Sequence, residues 1–457
     1  MCVNIRPDFQ LAVIPDTTMN TSSLFENNAR HLLDFIQASP SPWHAVQTAE
    51  QHLLKRGYQP LDEREAWNLT GGAGYYVVRG GSSLVAFRLG RASPVKGGFR
   101  IVGAHTDSPG LRLKPRGLQE SSGLQRIGVE VYGSPILATY ADRDLGVAGR
   151  VCMAVGEWME TRLIHCAEPL FRLPNLPIHL NRSVNDEGLK FNRQTELPLL
   201  FAGAAEWAGN RTAFTEVLAS KLGCEPHDLL SWDLVVHDTQ PGQFWGAEQA
   251  FIAASRLDNL SSCHAALSAL LNLDEGGEAT ETCVAALFDH EEVGSETQVG
   301  AMSSFLGDVL ERIALAVQLN TVDYKRALAR SFLVSADAAH AYHPNFPGVY
   351  DADHALRING GPAIKLNAGK RYASDSQTEA RFMRVCDRAG VPHQKYIHRS
   401  DLACGSTIGP MTAAKLGIAT VDVGSPIWSM HSIRESGGAL DPAYLTRALY
   451  SFYRHGA

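Results

Sequence analysis

Residues 24–37, "LFENNARHLLDFIQ", repeat apolar side chains at steps of three and four, which predicts an amphipathic helix. A second helix is expected after "SPSPW", running to about Arg56 and stopped at Gly57. The period then changes. "YYVVRGGSSLVAFRL" predicts a β-hairpin turning at Gly80 and Gly81, and "FRIVGAHTDSPG" a short apolar strand ending at His105 and Asp107.

Between about Arg112 and Trp245 the character shifts to short strand-like runs such as "VEVYG" and "RVCMAV", a polar stretch "HLNRSVNDEGLKFNRQTE" and a helix near 212–222. Helix and strand then alternate. "RLDNLSSCHAALSALLNL", "MSSFLGDVLERIALAVQ" and "DSQTEARFMRVCDRAG" read as helices. "TCVAALFDHEE", "SFLVSADAAHA" and "GIATVDVGSPIWSMHS" read as strands with their following loops. Apolar strands buried on both faces and separated by helices predict an α/β fold, a mostly parallel sheet flanked by helices. The expected division is an N-terminal extension at 1–22, a main unit at 23–111 plus 247–457, and an inserted β-rich module at 112–246.

The candidate chemistry sits where the apolar runs end. "RIVGA" delivers His105 and Asp107. "CVAALF" delivers Asp289, His290, Glu291 and Glu292. "FLV" leads to Asp337 and His340, and "IATVDV" to His431 through a short loop. Ligand sites in open α/β sheets collect at these carboxyl ends. Asp258, in "SRLDNL", stands at the start of a helix, where it is equally placed to cap. Each residue alone has an ordinary structural explanation. Together, several acids and two histidines on one sheet edge would repel or lose hydration unless a cation lay between them.

Imidazole and carboxylate without thiolate suit zinc, or a neighbouring ion such as manganese or cobalt. Two histidines cannot furnish two metal positions unless a carboxylate bridges, as in paired aminopeptidase sites. Side chains at consecutive strand positions point oppositely, so one of Glu291 and Glu292 is expected on metal and the other at water as general base. Asp107 is expected to orient the His105 imidazole.

Composition narrows the class. The net charge of −7 excludes the basic surface that nucleic acid or an anionic membrane would require. No stretch of 18 apolar residues appears, so no membrane helix is expected. The first twenty residues lack the order of a secretory signal and read as a floppy extension. Eight scattered cysteines without a Cys-x-x-Cys pair fit free thiols in a reducing cytoplasm. No Gly-x-Ser-x-Gly elbow, His-Glu-x-x-His helix or phosphate loop supports a rival chemistry.

In order, "GAHTDSPG", "SRLDNL", "DHEEVGS", "SADAAHA", "GGPAIKLNAGKRYA" and "SMHSIRE" resemble the aspartyl aminopeptidases, with "YADRDLGVAGRV" and "PIHLNR" extending the likeness into the module. The resemblance implies a zinc exopeptidase-like fold whose inserted domain mediates dimerisation, and a dizinc enzyme removing N-terminal Asp or Glu from peptides. It implies His105, Asp258, Glu292, Asp337 and His431 as metal ligands, with Asp258 bridging and Glu291 as general base. Substrate contacts are implied for His340, Lys365, Tyr372 and His179, the last offered to a neighbouring subunit of a homo-oligomer, dimers assembling into a dodecamer. Two Zn2+ per subunit are expected, with Mn2+ or Co2+ as substitutes. One departure stands out: "YGSPILATYADRDL" carries Ile136, Leu137 and Tyr140 where the family is richer in glycine and tryptophan.

Lys365, a cation in an apolar strand-like run, is placed to pair with an acidic substrate side chain; the commoner fate of a lysine is to keep its head in water. A neutral-residue aminopeptidase or an N-acyl amino-acid deacylase would use the same ligands, and a scaffold with structural zinc is the reading from another class.

Overall fold

The computed structural model describes residues 21–203, 214–274 and 280–457. The extension expected at 1–22 lies almost wholly outside them, as do the first two residues of the helix placed near 212–222. That helix is seen as Phe214–Leu222. The first helix is Thr21–Ala38. The second is Pro42–Lys55 and begins before the expected point, because Ser41 accepts the His44 amide and Pro42 takes the first turn, where its missing N–H costs nothing. The hairpin pairs Gly74–Arg79 with Ser83–Arg88, and Gly80 and Gly81 both take positive φ, 63° and 74°.

A nine-stranded sheet forms the frame. Its four central strands, Thr282–Phe288, Phe99–His105, Phe332–Ala336 and Ala419–Gly424, lie side by side and parallel. Antiparallel pairs with Ser83–Arg88 and Ala363–Leu366 flank this centre, and the outermost pairs at both edges are parallel again, so the sheet is mostly parallel, as expected. Both faces are covered. Cys283, Ala285 and Leu287 face one hydrophobic core, shared with the helices Leu257–Leu271 and Asp441–His455. Val284, Ala286 and Phe288 face another, built against Phe305–Ala316. This two-sided burial explains the uninterrupted apolar runs.

Residues 110–238 build a separate, six-stranded antiparallel sheet with its own core. A five-stranded sheet brings together Gln243–Trp245, Phe251–Ala254, Glu435–Gly438, Pro426–Trp428 and Ala339–His340. No helix among the described residues is long and apolar enough to cross a membrane.

The centre leaves no slack beside Asp337. A Cβ on Gly424 would lie 1.6 Å from the Asp337 carbonyl oxygen. Gly424→Ala is expected to lower stability by about 3 kcal/mol, the upper range for overpacking, read by denaturant unfolding. A parent-like midpoint would show that this contact does not constrain the strand.

Candidate metal centre

The four central strands release their chains at one edge, and the candidate residues meet there. His105 Nε2 lies 3.4 Å from Asp258 Oδ1, 3.9 Å from Asp337 Oδ1 and 4.0 Å from Glu291 Oε2. His431 Nε2 lies 3.5 Å from both Asp258 Oδ2 and Glu292 Oε2. Three overlapping groups of possible ligands result, His105–Asp258–Asp337, His105–Glu291–Glu292 and Asp258–Glu292–His431, with the two oxygens of Asp258 turned to different histidines. Asp258 does not cap its helix. Its side chain makes no capping hydrogen bond, and its own amide donates to Glu435 Oε2 at 3.0 Å.

Both imidazoles are turned by backbone carbonyls. His105 Nδ1 donates to the Asp107 carbonyl oxygen at 3.0 Å, and His431 Nδ1 to that of Ser134 at 3.1 Å. Each ring therefore turns its Nε2 toward the cluster. The Asp107 carboxylate was expected to hold His105, but it lies farther off, at 3.4 Å. It accepts instead the amides of Glu291 and Glu292, both at 3.1 Å, and the Tyr132 hydroxyl at 2.6 Å. The reason is positional: the strand ends at Phe288, and His290, at φ 65°, bends the chain so that the two amides face Asp107. The same bend corrects the expected cause of the glutamates' divergence. They sit in a 3-10 turn, Glu291–Val293, and not on a pleated strand. Asp289 and His290 pair with each other at 3.4 Å, outside the ligand sets.

Crowded negative charge governs the electrostatics. Burial, with Asp337, Asp107 and Asp258 nearby, pushes Glu291 up to about 8, and burial with Asp258 drives Glu292 well above the carboxylate range. Burial opposes charge on His105, but Asp107, Asp258 and Asp337 outweigh it and hold the ring far above its ordinary value. Burial would likewise raise Asp258, and the two histidines overcome it. Asp258 Oδ1 and Glu292 Oε1 are buried without a hydrogen-bond partner. Unpaired buried oxygens among imidazoles, with no thiolate in the set, are the donors zinc takes.

Beside Asp337 lies a group of side chains of mixed character. Lys365 is 2% exposed, not snorkelling. Its Nζ donates to the Ala338 carbonyl at 3.0 Å and stands 3.9 Å from Asp337 Oδ2 and 5.2 Å from the centre of the Tyr372 ring. His340 packs against Tyr396 and His398, with centroids 5.7 and 6.0 Å away; burial, then Lys365 and His398, lower it to about 4, which leaves it neutral. His179 is not brought to the cluster. It is exposed on the 110–238 module between exposed Ile178 and Leu180, and no hydrogen bond or ion pair among the described residues ties it to the site in its own chain.

Residues 35–453 match the model of the aminopeptidase I zinc metalloprotease family, M18. The chain belongs to that family. Among its relatives, a probable M18 family aminopeptidase 2 from Pseudomonas aeruginosa (strain UCBPP-PA14) is 46% identical over 424 residues, 92% of this chain and 97% of that protein. A chain of the cryo-EM structure of the Ape4 and Nbr1 complex superposes with a TM-score of 0.92 at 35% identity, covering 96% of this chain and 87% of that one. The S. cerevisiae mApe1 dodecamer gives 0.82 at 28% identity, covering 94% and 97%. The protein is thus an M18 zinc aminopeptidase, a peptide hydrolase with a mixed α/β fold.

Two residues of this aminopeptidase escaped the sequence. Glu435 accepts the amides of Asp258 at 3.0 Å and His431 at 2.8 Å, tying two candidate ligands to one buried carboxylate that burial, then Asp258, pushes up to about 8. It stands inside "SMHSIRE" and was passed over as part of a motif. Tyr132 closes the "VEVYG" strand and carries no local sign of a partner 25 residues away.

Proposed function

We propose that this M18 enzyme removes acidic residues, Asp or Glu, from peptide N-termini, using two zinc ions. His105, Asp258 and Asp337 would hold one ion and Asp258, Glu292 and His431 the other. When bound, zinc supplies a Lewis acid that polarises the scissile carbonyl and lowers the pKa of water. Glu291 takes the proton of the attacking water and delivers it to the leaving amine. Asp107 holds the Glu291 backbone while this happens.

The observation that carries the acidic preference is Lys365. A cation buried beside Asp337, with a neutral imidazole and a phenol close by and the buried Asp422 within its field, donates to one carbonyl and is placed to take a substrate carboxylate as a further partner. The pocket reading therefore includes His340 and Tyr372.

We assign the division into a catalytic unit at 23–111 plus 247–457 and a dimerisation module at 112–246. Supporting the module's role, Trp158 is 81% exposed, and Met159, Leu176, Ile178 and Leu180 share its surface. The likeness to the mApe1 dodecamer supports a dodecamer of dimers, in which His179 would reach a neighbour's site. The free thiols, several of them buried, fit a cytoplasmic enzyme.

The test is release of the N-terminal residue from matched Asp- and Leu-peptides, before and after chelation and zinc restoration. Chelator-sensitive release of Asp well above Leu is expected. Equal rates would sink the acidic preference and favour a neutral-residue enzyme, whereas no release from either peptide would favour a deacylase or a scaffold.

A further inference from the structure

One segment of the 110–238 module runs behind the whole metal centre. It begins at the end of the strand Leu124–Tyr132 and continues to Thr139, the stretch in which Ile136 and Leu137 depart from the family pattern. Its contacts fall on both halves of the site. Tyr132 donates its hydroxyl to Asp107, and Asp107 in turn accepts the amides of Glu291 and Glu292. The Tyr132 ring is itself fixed, since the Arg112 guanidinium stacks 3.7 Å from its centre. Gly133, at φ 67°, lies directly against Glu292: a Cβ there would sit 3.1 Å from the Glu292 Cβ and 3.3 Å from its carbonyl oxygen.

The other half of the site is held by the next residues. The Ser134 carbonyl accepts the proton on His431 Nδ1, which leaves Nε2 for the cluster. The Ile136 amide donates to the His431 carbonyl at 2.9 Å, and Thr139 Oγ1 accepts the Ile433 amide at 3.1 Å. These bonds grip a histidine at φ 69°, a left-handed conformation that a non-glycine residue keeps only when its surroundings impose it. A cavity between the two units is lined by Asp107, Tyr132, Asp258, His431 and Glu435, so the module is the far wall of the ligand cluster.

We infer that the segment Tyr132–Thr139 is a brace through which the inserted module sets the metal centre of its own subunit, and that Tyr132 is a positioning residue for Glu291 and Glu292. The inference rests on the zinc site proposed above. The Tyr132 hydroxyl bonds Asp107 and not a candidate ligand atom. It fixes Asp107, Asp107 fixes the turn, and the turn aims one carboxylate at His105 and the other at His431. The module thus has a task inside the subunit, apart from any contact between subunits.

Tyr132→Phe removes one hydroxyl and keeps the ring. Groups that orient metal ligands typically contribute 10–100-fold to metal affinity or activity. The variant is expected to bind zinc about 10–100-fold more weakly in calorimetric titration of the zinc-free protein, to lose kcat more than KM at saturating zinc, and to keep the melting temperature of the zinc-free parent. Gly133→Ala approaches the same brace from the backbone side and should weaken zinc binding likewise, so a failure of one variant to fold leaves the other to decide. Glu291→Gln is measured alongside. Parent-like zinc affinity and kcat in Tyr132→Phe, with Glu291→Gln inactive, would overturn the brace and leave the site standing. A zinc-free melting temperature that falls in step with zinc affinity would also overturn it, because that marks a general loss of packing. Parent-like activity in Glu291→Gln would fault the underlying site instead.

Discussion

Glu291→Gln should lower kcat by about 10²–10⁴-fold, the range a positioned general base contributes, while the protein keeps its zinc and its fold. The substitution preserves shape and removes the group that takes a proton. It also relieves charge crowding, since Glu291 is buried with Asp337, Asp107 and Asp258 nearby. Stability should hold or rise for the same reason. Metal content by atomic absorption and kcat on a good peptide substrate are the two measurements. Metal and fold lost together would mean that zinc is structural here; kcat within a few fold of the parent would move the base elsewhere.

Lys365→Met should collapse the preference for Asp- over Leu-peptides. Methionine keeps most of the stem volume in the sheet and removes the charge. Truncating one partner of a buried, hydrogen-bonded charge pair costs about 2–5 kcal/mol, so kcat/KM for the acidic peptide should fall by roughly 30-fold or more. The Leu-peptide has no carboxylate to lose and should change much less. The discriminating number is the ratio of the two kcat/KM values. If both peptides suffer equally, Lys365 serves Asp337 and not the substrate.

The ends of the central strands were legible because two-sided burial writes an apolar run that stops where the polar cargo begins. His105, Glu291, Glu292 and Asp337 follow such stops, His431 comes after a further loop and Asp258 from the start of a helix, and the fold brings them together. What aims them was not legible. Glu291 and Glu292 diverge through a turn whose geometry is imposed by Asp107, and nothing in "DHEEVGS" names that partner. Asp107 in turn answers to Tyr132, which comes from a different sheet. The five-stranded sheet was equally hidden, because its strands are two to four residues long and come from distant parts of the chain. Thr321–Arg330 escaped as well, a polar helix announced mainly by its Asn320 cap. Lys365 was legible as a cation in an apolar run, but its burial runs against the ordinary rule for lysines, and nothing local names its carbonyl and carboxylate partners at another strand's end.

The helix Leu257–Leu271 is buried along its whole length, with no solvent face. Asp258 enters it with non-helical backbone, φ −82° and ψ 106°, yet is itself buried and has its amide held by Glu435, whereas Glu291, Glu292 and His431 ride on turns. A residue buried at the head of such a helix leaves its place only when the core itself opens, but a turn shifts at far smaller cost. The shared carboxylate is therefore the fixed datum of the centre, and the two outer turns are its jaws. With zinc held as proposed, exchange of the ions would proceed by the loosening of those jaws, on a timescale separate from unfolding.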